Sequence, residues 1–186
     1  MDKIVEIVEE NTMKSKKKNA NFLLREWRLS DKKSLAANAN NINIWNNVRD
    51  YFPYPYTEND AEQFIRMVMN KSKPLTDYAI EIDGQAVGGI GIVPQTDVSR
   101  ITTEIGYWLG EQYWNRGIMT DAVRQMVEYT FENFPVTKIF APVFEFNIPS
   151  MRVLEKAGFV REAVLKKSAI KNGKTIDLYY YGLIKK

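Results

Sequence analysis

The stretch TEIGYWLGEQYWNRGIMTDAVRQMVEYTFENFPVTKIFAPV, residues 103–143, reads as strand, loop, helix, strand. Thr103 to Leu109 and Lys138 to Val143 are runs of strand length rich in β-branched and aromatic residues. Between them Val123, Met126, Val127, Thr130, Phe131 and Phe134 recur at helical spacing and make one apolar face over residues 120–134. A strand, a helix of that length and a second strand form a crossover, and a crossover joins parallel neighbours.

The flanks predict antiparallel pairs around this unit. Asp83-Gly84 between Tyr78 to Ile82 and Ala86 to Val93 is a hairpin signal, because such a turn needs positive φ at its centre. Gly88, Gly89 and Gly91 weaken the second of these strands and imply a close backbone approach or a bulge. They are not a dinucleotide loop, since the apolar strand continues through Ile90, Ile92 and Val93 where a helix would have to start. Upstream, Phe22 to Arg28 alternates as a strand, and Ser30-Asp31 is a candidate N-cap for a helix to Ala39. Tyr51-Phe52-Pro53-Tyr54-Pro55-Tyr56 cannot be helical, because each Pro forces its predecessor into extended geometry. Thr57-Glu58-Asn59-Asp60 then announces a helix, with a Thr cap and acid in the first turn. Downstream, a helix from Pro149 to Lys156 stops at Ala157-Gly158. Strands at Phe159 to Leu165 and Thr175 to Ile184 flank the turn Lys171-Asn172-Gly173-Lys174. The fold class is α+β: a mostly antiparallel mixed sheet of about seven strands containing one parallel pair.

With 186 residues, 45% hydrophobic and 26% charged, the chain has the size of one domain, assigned to residues 21–186 after a basic, flexible tail over residues 1–20. Twenty-six Lys and Arg against 23 Asp and Glu give a net charge of +3, which argues little for nucleic acid even with the run Lys14 to Lys18. The absence of Cys removes disulfides and thiolate sites and suits a cytoplasmic protein. The absence of His removes the commonest general base and metal ligand, so no metal is expected and proton transfer must use carboxylates, Tyr, Lys, hydroxyls or water. No apolar run is long enough for a signal peptide or membrane span. Nothing in the sequence separates a monomer from a homodimer.

Chemistry concentrates at Trp114-Asn115-Arg116-Gly117-Ile118-Met119-Thr120. A Gly-containing turn that leaves a strand and opens a helix aims unpaired N–H groups and the positive helix end at one point. Gly117 allows a bulky anion to approach, Arg116 and Asn115 add donors, and Thr120 is placed to cap the helix or bond the anion. Taken alone, an ordinary helix start fits these residues as well as an anion site does.

The surroundings resemble the GNAT superfamily of N-acetyltransferases, and within it the RimJ/RimL-type branch. Tyr113-Trp114-Asn115-Arg116-Gly117-Ile118-Met119-Thr120-Asp121-Ala122 is similar to the branch's pyrophosphate-binding motif Tyr-Trp-x-x-Gly-x-Ala-Thr-Glu-Ala, with Met119 for a small residue and Asp121 for Glu. Glu104-Ile105-Gly106-Tyr107-Trp108-Leu109 resembles the strand that pairs with pantetheine. Asn147 to Phe159 resembles its Asn-x-x-Ser…Glu-Lys-x-Gly-Phe signature, and Pro53-Tyr54-Pro55-Tyr56-Thr57 ahead of a helix also fits. Motifs in this order and spacing extend the likeness over residues 22–184.

The resemblance implies a three-layer α/β/α fold in which the parallel strands splay near Trp108 and Phe144 and admit acetyl-coenzyme A as cosubstrate. It implies cofactor contacts at Tyr107, Trp108, Leu109, Trp114 to Thr120, Asn147 and Ser150. Backbone donors at Tyr107, Trp108 or Leu109 would meet the oxyanion, an effect that can reach about 3 to 4 kcal/mol per donor. The superfamily's thiolate-protonating Tyr position holds Leu154 here, which leaves Ser150 to hydrogen-bond the sulfur while Asn147 holds pantetheine; Ser150 is equally a candidate helix cap. Glu104 is the first candidate base and Asp177 the second. A lysine-type amine costs about 4.6 kcal/mol to neutralise at pH 7 and an α-amine only about 1, so an α-amine asks far less of a base. Trp45, Tyr51, Phe52, Tyr54 and Tyr56 are candidates for the acceptor wall. The expected reaction is acetyl transfer to a primary amine, foremost a protein or peptide N-terminal α-amine of ribosomal-protein type. The alternatives are a small-molecule amine acetyltransferase acting on polyamines, aminoglycosides or amino sugars, and a non-catalytic acyl-coenzyme A-binding module.

Overall fold

The structure, a computed structural model, describes Met13–Lys14 and residues 22–186. The tail expected over residues 1–20, with its run Lys14 to Lys18, lies outside the described residues except for Met13–Lys14. The strands are β1 (Met13–Lys14), β2 (Leu23–Arg25), β3 (Asp77–Ile82), β4 (Gln85–Pro94), β5 (Thr102–Leu109), β6 (Lys138–Phe144), β7 (Val160–Lys171) and β8 (Lys174–Ile184). They form one sheet in the order β1-β2-β3-β4-β5-β6-β8-β7. The expected seven strands are β2 to β8, and the two-residue β1 adds an edge beside Leu23 and Leu24. Among the described strands only β5 and β6 run parallel, as the crossover predicts, and the other neighbours are antiparallel.

The helices are α1 (Lys32–Ala39), α2 (Ile42–Trp45), α3 (Glu58–Met69), α4 (Ile118–Asn133) and α5 (Ile148–Lys156). Alternation along β3 sends Tyr78 and Ile80 to one side and Ala79 to the other. On the first side they join Val123 and Met126 of α4 and Met151 and Leu154 of α5. On the second, Ala79 and Ala86 meet Leu35 and Ala39 of α1 and Ala61 and Ile65 of α3. The small residues on that face let two helices pack close to the strands. Truncating a fully buried side chain such as Ile65 or Met126 to Ala is expected to cost about 2 to 5 kcal/mol.

Close approach explains the glycines of β4, which at ten residues is not shortened by them. A Cβ at Gly88 would lie 2.6 Å from the Trp108 carbonyl oxygen of the neighbouring strand. The bulge sits next door, between Ile80 and Glu81 in the β3–β4 register.

Two strand ends and one short helix depart from the sequence expectation by more than a residue or two. The first long strand stops at Arg25 instead of Arg28, because the Arg25 side chain turns inward. It makes two hydrogen bonds to Asp31, at 2.7 and 2.8 Å, and pairs with Glu81. Asp31 is consequently not a side-chain cap of α1; its carboxylate accepts from the Arg28 N–H at 2.9 Å and answers the buried guanidinium. The strand expected to end at Leu165 runs on to Lys171, past a register shift between Leu165 and Ala169. There Asp177 of β8 fastens it, accepting from Lys166 Nζ at 2.7 Å and from the Lys167 N–H at 2.9 Å. The four-residue α2, capped by Asn41, has no counterpart in the sequence reading because it is too short for a periodic signal.

Candidate functional site

The parallel pair is short. Thr102, Thr103 and Glu104 face Lys138, Ile139 and Phe140, and no pair follows. Beyond that point β5 stays with β4 as far as Leu109 opposite Gly88, and β6 stays with β8 as far as Phe144 opposite Leu178. The sheet therefore opens between residues 105–109 and 141–144, one residue past Glu104. Pro142 lies in the opened part of β6, where a strand that has lost a neighbour on one side can carry a residue without an N–H. This proline is the sequence signal that marks the gap, and the sequence reading passed over it. The gap belongs to a cleft of about 1260 Å³, large for a single small ligand.

One wall of the cleft is the entry to α4. After β5 the chain makes a short turn over Glu111–Tyr113, becomes extended at Trp114, and takes left-handed φ at Asn115 (61°) and Gly117 (78°) before α4 starts at Ile118. No side chain caps this helix, and Thr120, one of the two roles expected of it being a cap, is instead buried inside the first turn. The first N–H groups of α4 have no intrahelical partner by construction. With left-handed residues just ahead of them they form a concave set of donors suited to an anion. A Cβ at Gly117 would meet no atom within 4 Å. The glycine is thus demanded by its backbone conformation, not by crowding from neighbouring protein. Trp114 anchors the loop by donating from Nε1 to the Leu109 carbonyl at 2.7 Å, and the Arg116 guanidinium lies 5.5 Å from the Tyr113 ring centre.

The opposite wall is the start of α5. Asn147, not Ser150, is its N-cap: the Asn147 Oδ1 accepts from the Ser150 N–H at 3.2 Å. That leaves the Ser150 hydroxyl free of capping duty, and it lies 2.9 Å from the Tyr107 hydroxyl across the cleft. The Tyr107 hydroxyl is also 3.3 Å from the Ser150 carbonyl oxygen. Burial holds the Tyr107 phenol well above its ordinary range, so it stays protonated.

Glu104, at the last rung before the gap, pairs with Arg49. Burial works against the Arg49 charge, but hydrogen bonds to Glu104 and Tyr51 outweigh it and hold the guanidinium above its ordinary value. Beside this pair, Lys171 Nζ reaches Asp50 at 2.7 Å and lies 3.7 Å from the Trp45 ring centre. The ammonium is almost fully buried and Asp50 is exposed. Of the aromatic wall expected, Tyr51, Phe52 and Tyr56 line the cleft. Phe52 links it to β5 through Trp108, with ring centres 5.8 Å apart. Trp45 and Tyr54 instead pack on each other at 5.8 Å, outside the lining. Asp177, the second candidate base, is spent on Lys166, whose hydrogen bond holds its carboxyl below the usual range, and it does not line the cleft. Sequence reasoning missed Arg49, Lys171 and the Tyr107 side chain, since each acts through a partner more than 40 residues away.

A protein-family model described as an acetyltransferase (GNAT) domain matches residues 21–160. The probable N-acetyltransferase YjcK of Bacillus subtilis is 38% identical over 91 residues, which cover 49% of this chain and 50% of the relative. The chain thus spans about half the length of this relative. The uncharacterized N-acetyltransferase YnaD of the same organism is 29% identical over 88% of this chain and 93% of its own. Among solved structures, RimL, a ribosomal L7/L12 alpha-N-protein acetyltransferase in complex with coenzyme A, superimposes with a TM-score of 0.76 at 18% identity, covering 90% of this chain and 96% of that one.

Proposed function

Since the chain belongs to the GNAT acetyltransferase family, we propose that it transfers the acetyl group of acetyl-coenzyme A to a primary amine by direct attack on the thioester, and that the amine is the N-terminal α-amine of a protein or peptide. The observation that carries this reading is the gap between β5 and β6 beside an uncapped, glycine-opened helix start. A diphosphate needs convergent donors at a helix end, and a pantetheine amide chain needs a strand edge with no partner. Both stand in one cleft, and the open space above Gly117 leaves room for the diphosphate.

In this reading the first N–H groups of α4 and the donors of Asn115 and Arg116 hold the diphosphate. The free edge of Tyr107, Trp108 and Leu109 holds pantetheine and directs N–H groups to the thioester carbonyl. Asn147 binds pantetheine through the end of its amide not used in the cap, and Ser150 donates to the sulfur. The thioester supplies an activated acyl group; the protein supplies orientation and donors already in place when the oxyanion forms.

The charges of the acceptor side favour an α-amine over a polycation. Asp50, Asp77 and Glu104 are the three carboxylates among the described lining residues, and each already has a cation: Lys171, Lys71 and Arg49. A polyamine or aminoglycoside would find no free carboxylate cluster. Glu104, the proposed base, offers a carboxylate shared with Arg49, and an α-amine, which costs only about 1 kcal/mol to neutralise at pH 7, asks least of it. The α-N-protein acceptor of the structurally similar RimL agrees with this choice.

The test is a panel of peptides with free α-amines, polyamines and aminoglycosides, each offered with acetyl-coenzyme A while thiol release is followed. Turnover of peptides well above the other classes is expected. Preference for a polycation would overturn the acceptor assignment, and binding of acetyl-coenzyme A without turnover of any amine would overturn the activity.

A further inference from the structure

Ser150 has a hydroxyl with no task in its own helix. A serine in the first turn commonly caps or bonds back to the backbone, but Asn147 takes the Ser150 N–H and thereby the capping role. What the hydroxyl meets instead is a phenol from another element, Tyr107 of β5, at 2.9 Å. The two residues are 43 positions apart, one on the strand before the gap and one on the helix after it. Leu154 is fully buried in the core cluster against which Tyr107 packs.

We propose that the Tyr107 side chain is a positioning residue for thiol departure: its phenol donates to Ser150 Oγ and turns the serine's own proton toward the thioester sulfur. The proposal rests on the placement of Ser150 at the sulfur given above. Three observations carry it. Tyr107 and Ser150 both line the cleft at the gap between β5 and β6. The phenol, the stronger acid of the two hydroxyls, has two acceptors in reach, Ser150 Oγ at 2.9 Å and the Ser150 carbonyl oxygen at 3.3 Å, and Oγ is the nearer. A hydroxyl that accepts from a phenol keeps its own proton for a third atom, whereas one that donates to the phenol has none left to offer.

Magnitudes separate positioning from proton relay. A thiol ionises near 8.5 and a phenol near 10, so passing the phenol's proton to a thiolate is unfavourable by a factor of about 30 before burial is counted. Burial raises the Tyr107 phenol further. The proton that balances the reaction comes from the acceptor. The amine nitrogen bonds to the acetyl carbon, the carbon–sulfur bond breaks with its electron pair on sulfur, and the N–H proton of the new amide is lost to base or to the thiolate. Tyr107 keeps its proton throughout and the Ser150 O–H stabilises the thiolate as it leaves.

The experiment compares Tyr107→Phe, Ser150→Ala and the double variant with the native protein. Each single variant is expected to lower kcat about tenfold, with the KM for acetyl-coenzyme A changed less than about twofold, and the double variant to be no slower than S150A. A second readout needs no turnover: the thiol of bound coenzyme A, titrated by its thiolate absorbance, should ionise about one pH unit higher in both single variants than in the native protein. A native kcat and native thiol titration in Y107F, with S150A impaired, would overturn the positioning role and leave Ser150 at the sulfur. Losses in Y107F that add to those of S150A would overturn it as well, because the phenol would then act on its own. A native S150A would remove Ser150 from the sulfur and the inference with it.

Discussion

Helices α3 and α4 begin in opposite ways. At α3 side chains answer two backbone donors: Thr57 Oγ1 accepts from the Asp60 N–H at 3.2 Å, and Asp60 Oδ2 accepts from the Thr57 N–H at 2.8 Å. At α4 the cap position is a left-handed glycine and no side chain makes a capping hydrogen bond. The first helix start is closed by its own side chains; the second is left without a side-chain cap. An unanswered helix end beside a sheet gap is a stronger functional sign than the residue types at either place.

The contrast can be broken from the open side first. Gly117→Val puts a branched side chain into the space above the helix start and at a φ of 78° that such a residue rarely adopts. Acetyl-coenzyme A affinity measured by calorimetry should fall about 100-fold, or about 2.8 kcal/mol at 1.4 per decade. An unchanged Kd would show that the open donors do not hold the diphosphate. Asn115→Asp is the finer cut, since it keeps the shape and adds one negative charge. Coenzyme A should bind about tenfold more weakly, while the melting temperature holds or rises, because an acid near a helix start is favourable by about 0.3 to 1 kcal/mol. Equal losses of affinity and stability would erase the distinction.

On the closed side the signs reverse. Thr57→Ala should cost about 1 kcal/mol in a denaturant melt and leave the Kd for acetyl-coenzyme A unchanged. The smallest effect is in pH. Hydrogen bonds from Thr57 hold the Asp60 carboxyl below its ordinary value. A depressed folded value gives stability that is present above the unfolded pKa of about 3.9 and disappears as pH falls through the folded one. The native protein's advantage over T57A should therefore shrink below about pH 4, and an advantage constant down to pH 2 would show that Asp60 is not part of the cap.

The closed start was legible in four consecutive residues, and so was the crossover, because periodicity and capping are local properties of sequence. The open start was legible as a loop, but its meaning depended on a neighbour. Pro142 alone hinted that β6 loses its partner beyond Phe140, and only the register makes that visible. The acceptor side was least legible. Glu104 stood out as a carboxylate on the right strand, yet its partner Arg49 is 55 residues upstream, and Lys171 reads as a turn lysine until it is found beneath Trp45. Likewise Asn147 and Ser150 were both visible, but which of them caps α5 was decided by backbone geometry that residue types do not encode.

Lys171 also ties together segments far apart in the chain. Its bond to Asp50 spans 121 residues, and the neighbouring Asn172 Nδ2 bond to Asn46 Oδ1 spans 126. The gap and the helix-start wall of the cleft, by contrast, come from residues 104–150. Contacts of long sequence separation are costly to close and late to form. The β7–β8 hairpin carries both of these long ties at its tip, so cutting them at Asp50 or Asn46 would loosen that wall of the cleft without touching the helix start at Gly117.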